Sequence, residues 1–115
     1  MTFVDGFVAA VPSANKQAYL EMAQLMAEMC AEQGALKTME NWGVDVPEGE
    51  VTSFPMAVKR EDGEVVVFSW ILWPSKEARD KAWEKMREDE RMAQISMPFD
   101  GKRLIFGGFE TILDV

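Results

Sequence analysis

Three carboxylates, Asp5, Glu40 and Asp45, stand in stretches that are otherwise apolar. A carboxylate set among apolar side chains has a shifted pKa and can serve as a general base or acid. They are therefore the candidate catalytic groups. The plainer reading is that they face solvent at strand ends, because carboxylates are rarely buried without a partner. The chain has no histidine. That excludes a Ser-His-Asp triad, a Cys-His pair, a His-ligated haem and every His-containing zinc motif. Acid–base chemistry is left to carboxylates, Lys, Tyr19 or a bound ligand.

Trp42, Trp70, Trp73 and Trp83 are candidates to line a ligand pocket, as are Ser69, Arg79, Asp100 and Arg103. Large aromatics more often fill a core or an interface. Ser69 lacks an activating base in its neighbourhood and reads more simply as a small packing residue bonded to backbone. Asp100 and Arg103 suggest either an anion site or an ion pair that locks the loop before the last strand, and the pair is the preferred reading. Cys30 lies on the apolar stripe of a helix and is expected to be inert. No metal site and no cofactor is expected.

The elements that must position these residues follow from hydropathy patterning. Residues 65–73, VVVFSWILW, contain one small polar member. Successive strand residues point to opposite faces, so this strand is apolar on both. Residues 2–11 read as a strand that is likewise apolar on both faces. Residues 15–33 follow helical spacing, with Ser13 as the expected N-cap and Gly34 as the C-terminal cap. Residues 35–46 read as a second strand. Residues 51–60, broken by Pro55, suit an edge strand or an ordered loop. Asp62-Gly63 signals a hairpin turn. Ser75 is expected to cap a helix over 76–88, supported by Glu77–Lys81 and Lys85–Asp89 pairs. A short helical turn is expected near 91–95, and a last strand over 102–113 with a bulge or close approach at Gly107-Gly108.

The order is β-α-β-(β)-β-α-β in one domain, residues 1–115. It predicts an α+β fold: a ferredoxin-like βαββαβ sandwich, an antiparallel sheet with two helices on one face. Two helices cover one sheet face only. The other would expose more apolar surface than a soluble monomer tolerates, so a homodimer packed sheet to sheet is expected.

Of 115 residues, 48% are hydrophobic and 28% charged, as in an ordinary globular domain. The net charge of −8, from 12 basic and 20 acidic residues, argues against nucleic acid or an anionic membrane surface as partner. No apolar run is long enough to span a bilayer. The absence of a signal-peptide pattern and the single cysteine suggest a cytoplasmic protein.

Several separated blocks resemble the YbaA-like family of bacterial proteins of unknown function. They include Phe3-Val4-Asp5-Gly6-Phe7-Val8, Gly34-Ala35-Leu36, Thr52-Ser53-Phe54-Pro55 and Val66-Val67-Phe68-Ser69-Trp70. Ser75 with Arg79-Asp80, and Met97-Pro98-Phe99-Asp100-Gly101-Lys102-Arg103 with Gly107-Gly108-Phe109, continue the resemblance. It implies a dimeric α/β barrel and carries no established activity. Three departures stand out: Gln33 where the family commonly has His, Glu40 to Asp45 with one carboxylate and a Cys missing, and a short segment from Arg91 to Met97. The expected function is binding or transformation of a small, partly apolar molecule, in a pocket built from sheet residues and the 89–103 loop. The alternative is a non-enzymatic dimeric interaction or stress-associated module.

Overall fold

The computed structural model describes residues Met1 to Val115. Four strands form one antiparallel sheet: β1 (Phe3–Pro12), β2 (Lys37–Trp42), β3 (Glu64–Trp73) and β4 (Ile105–Glu110), in the order β2-β3-β1-β4. The two long apolar runs, β1 and β3, are the central pair. Strands apolar on both faces belong where neighbours and covering layers surround them. Helices α1 (Lys16–Glu32) and α3 (Lys76–Arg87) are joined by two short ones, α2 (Phe54–Ala57) and α4 (Glu90–Gln94). No helix is long and apolar enough to cross a membrane.

Register assigns the faces. Phe3, Asp5, Phe7, Ala9 and Val11 of β1 stand opposite Trp73, Ile71, Ser69, Val67 and Val65 of β3. This face receives both long helices. Met29 and Cys30 of α1 and Ala82 and Met86 of α3 cluster with Phe3, Ile71 and Trp73. Farther along, Tyr19 and Ala23 of α1 pack on Ala9, Val11 and Val67.

The second face carries Val4, Val8, Ala10, Val66, Phe68, Trp70, Ile105 and Phe109. Its Val8–Ala10–Val66 corner is covered by Val58, with Val46 beside it, from the connection between β2 and β3. Phe54 of α2 leans on Phe68, with ring centroids 5.7 Å apart, and the remainder is largely open. Phe68 is 42% exposed, Ile105 42% and Phe109 61%.

Four local expectations need correction. Residues 51–60 are not a strand. Ser53 caps α2 by accepting from the Met56 N–H at 3.1 Å, and Pro55 sits in the first turn, where its missing N–H costs nothing. Ser13 is no cap either; it opens a 3-10 turn (Ser13–Asn15), and the Asn15 amide donates to Pro98 O at 2.8 Å. The Glu77–Lys81 and Lys85–Asp89 pairs do not form, and Lys76–Asp80 does, at 2.7 Å. Gly107-Gly108 is not a bulge: β4 pairs with β1 in unbroken register from Ile105 to Glu110. The glycine at 108 has another cause. A Cβ there would lie 2.6 Å from the Phe3 ring and 2.7 Å from Arg79 Nη2.

Other expectations hold. Ser75 caps α3, accepting from the Ala78 N–H at 3.1 Å. Gly34, at φ +103°, ends α1 in the left-handed region that glycine adopts without penalty.

Candidate functional site

Asp5 lies on the helix-covered face of β1, 5% exposed. A buried carboxylate needs donors, and three converge on it. Arg79 Nε donates to Oδ1 at 2.9 Å, while Trp73 Nε1 and Trp83 Nε1 both donate to Oδ2 at 2.9 Å. Arg79 and Trp83 are four residues apart on α3, hence on one helix face. The Arg79 guanidinium also stacks over Phe3, 5.0 Å from the ring centroid, and donates from Nη1 to Asp80 at 2.7 Å. Burial draws the Arg79 pKa down, but the bonds to Asp80 and Asp5 outweigh it and raise it. Guanidinium and carboxylate are thus rigidly held by one another and by two indoles.

This cluster floors an open groove of about 570 Å³ between α3 and the β1–β4 side of the sheet. Phe7, Trp83, Arg87, Leu104 and Phe106 contribute to its walls. Leu104 directly follows the 101–103 turn. Phe106 points from β4 to the helix side, opposite Phe7, yet is 75% exposed because neither helix reaches over it.

A second polar group lies beneath α1. The Tyr19 hydroxyl donates to Glu40 Oε1 at 2.5 Å. Glu40 and Ser69 are cross-strand neighbours. Burial, then the bond to Glu40, pushes the Tyr19 phenol far up. Glu40, on edge strand β2, has an exposed outer surface but an inward, partly desolvated carboxyl. That desolvation raises its pKa, against the opposing bonds to Tyr19 and Ser69.

A third group ties loops together. Arg103 grips Glu64 with two bonds, at 2.8 and 2.7 Å, bonds Asp100 at 3.0 Å and donates to Lys59 O at 2.9 Å. The bond from Arg103 holds the Glu64 carboxyl below the usual range. Asp100 is half exposed, so its bond to Arg103 is a surface contact, whereas the Arg103–Glu64 pair is largely buried.

Residues 2–101 match the family model described as "Protein of unknown function (DUF1428)". The chain belongs to this family. It is 59% identical over 116 residues to "Uncharacterized protein YbaA" of Escherichia coli (strain K12), with 99% of both chains covered. The proteins of that description from Escherichia coli O157:H7 and Shigella flexneri give the same figures. The family resemblance read from the sequence blocks is therefore real.

The structure brings the sequence candidates together in pairs: Asp5 with Arg79, Glu40 with Ser69, Asp100 with Arg103. Trp42 stands on the helix side of β2 with Lys16 over its ring, 5.2 Å from the centroid. Trp70 lies on the opposite face from Asp5, edge-on to Phe68 at 5.3 Å. Asp45 is exposed and joins no side-chain hydrogen bond or ion pair. Sequence reasoning missed Trp73 and Trp83 as donors to Asp5, and Glu64 as the main partner of Arg103. For Asp5 a signal existed: the buried acid needed donors, and Arg79 and Trp83 share a helix face. Cys30 is fully buried. That burial, with the Asp5 charge nearby, lifts its thiol to about 12, where it is unreactive.

Proposed function

We propose that this protein is a homodimer that binds a small, partly apolar molecule in the groove beside α3. The observation that carries the binding is the groove itself. It has room for a small molecule, apolar walls and a preorganised Asp5–Arg79 pair at its floor, the combination expected of ligand sites. In this reading the subunit is a ferredoxin-like βαββαβ unit, consistent with its antiparallel strand order, and two copies form a dimeric α/β barrel. The location is cytoplasmic, which the single buried cysteine supports.

The dimer draws support from area. A compact monomer of 13.0 kDa presents about 6,300 Å², and this subunit presents 7643 Å². The surplus of about 1,300 Å² exceeds the roughly 800 Å² each partner gives to a standard interface.

The test combines native mass spectrometry with a thermal-shift screen of aromatic and quinone-like compounds. A mass of two chains and at least one stabilising compound, whose effect is lost in Phe106→Ala, are expected. Failure of every compound to shift the melting temperature overturns the binding reading. The second reading, an interaction module whose dimer surface is its whole function, is favoured by the open Phe68–Trp70–Phe109 face. It predicts that groove substitutions leave cellular phenotypes intact while dimer-breaking ones abolish them.

A further inference from the structure

We infer that the groove's ligand is an amphipathic organic anion, with its carboxylate held by Arg87 and its flat apolar body laid across Phe106, Leu104 and Phe7. This rests on the groove being a small-molecule site, and adds the chemical class and the anchoring residue.

The angular arrangement on α3 decides the charge. An α-helix turns about 100° per residue. Trp83 marks the direction of the groove floor, because its indole reaches Asp5. Arg79 and Arg87, four residues before and after it, then lie about 40° to either side of that line. Asp80 lies about 60° round and Glu84 about 100°, toward the rim. The inward row is therefore Arg79, Trp83, Arg87: two guanidinium groups flanking an indole.

These two arginines are not equivalent. Arg79 is committed, to Asp5 through Nε and to Asp80 through Nη1. Its charge is answered within the protein. Arg87 takes part in no side-chain hydrogen bond or ion pair, so all five of its donors remain available. Of the acidic groups along the groove, Asp5 is saturated by three donors and Asp80 is held by Lys76 and Arg79. Glu84 is the one acid left free; it also lines the groove, but about 60° farther round the helix than Arg87. The unanswered charge nearer the floor is thus positive.

Hydrophobic surface completes the site. Phe106 is exposed beside this cation on a sheet face that the helices otherwise cover. A guanidinium binds a carboxylate through two parallel hydrogen bonds. A flat apolar body would bury the exposed Phe106 and the open part of Leu104. A neutral apolar ligand would leave Arg87 unanswered, and a cationic one would be repelled by it.

Isothermal titration of the purified full chain with three matched probes tests this: naphthoate, neutral naphthalenemethanol and cationic naphthylmethylamine. Naphthoate is expected to bind about tenfold or more tighter than the alcohol, the gain of one charge-assisted contact. Arg87→Gln should bring naphthoate to the alcohol's affinity and leave alcohol binding unchanged. Phe106→Ala should weaken both equally. Equal affinity for naphthoate and alcohol, tighter binding of the amine, or a naphthoate preference that survives Arg87→Gln would overturn the anion assignment while the groove stands as a site. Absence of binding by all three removes both.

Discussion

Asp5 ties β1 to two other elements, since its two oxygens take N–H groups from β3 and twice from α3. Asp5→Ala would leave the Arg79 Nε and two indole N–H donors without a partner. Deleting one member of a buried ion pair costs about 3–5 kcal/mol, so urea unfolding should show a loss of that order. Asp5→Asn, which keeps one acceptor oxygen, should lose less. Glu40 gives a prediction of opposite character. Its folded carboxyl titrates above the unfolded value of 4.5, chiefly through desolvation. Between those two values the native state holds more protons than the unfolded chain, so stability falls as pH rises across that window. Glu40→Gln preserves an acceptor for Tyr19 and should flatten the slope just above pH 4.5 in denaturant titrations. An unchanged slope would show that the group is fully solvated. Asp5 and Glu40 were visible in the sequence as charges on apolar strands. Their full set of partners was not, because strand register and helix rotation together decide which donors arrive, and only the Arg79–Trp83 spacing gave a cue.

At the scale of elements, local patterning was legible wherever one signal dominated. The β1 and β3 runs, the helical stripes and the Ser75 cap all fell where propensity and hydrophobic period agreed. Prolines were harder. Pro-Ser stands before both long helices, yet only Ser75 caps, because a 3-10 turn after Pro12 moves the start of α1 past Ser13. Pro55 read as a strand breaker, whereas Ser53 before it made it a helix starter; the cap two residues earlier was the overlooked cue. Gly108 also tests how elements fit. Its lack of a side chain lets Phe3 and the Arg79 guanidinium cross β4 closely. Gly108→Ala must push both aside and disturb the Asp5 cluster. Overpacking of this kind costs about 1–3 kcal/mol, read by thermal or urea unfolding. Gly107→Ala meets only the Phe109 ring at 3.4 Å and should cost distinctly less. Equal losses for the two would mean that the crossing at Gly108 relaxes freely.

At the scale of the whole molecule, the subunit is a slab. It measures 37 × 36 × 21 Å, with a radius of gyration of 14.7 Å against about 13 Å for a compact chain of this length. A single sheet with both long helices on one side accounts for the short dimension. The sequence showed that β1 and β3 need cover on both faces. It did not show that the connection carrying Val46 and Val58 supplies part of that cover from within. What stays bare is a continuous strip from Phe68 and Trp70 to Ile105 and Phe109, and stacking two slabs through it would restore near-equal dimensions. Phe109 is the sharpest probe of the proposed dimer. It is largely exposed in the subunit, so Phe109→Asp leaves the fold undisturbed, yet in a sheet-to-sheet dimer it sets an unpaired charge in an apolar interface. Light scattering should then fall from a mass of two chains to one, with the dissociation constant raised at least about a hundredfold, as for an interface hot spot. The melting temperature of the unsubstituted protein should rise with concentration and that of the variant should not. Glu84→Gln, on the helix side, serves as the control and should leave the dimer whole. A Phe109→Asp variant that still scatters as two chains would remove the sheet face from the interface, and unsubstituted protein that scatters as one would remove the dimer itself.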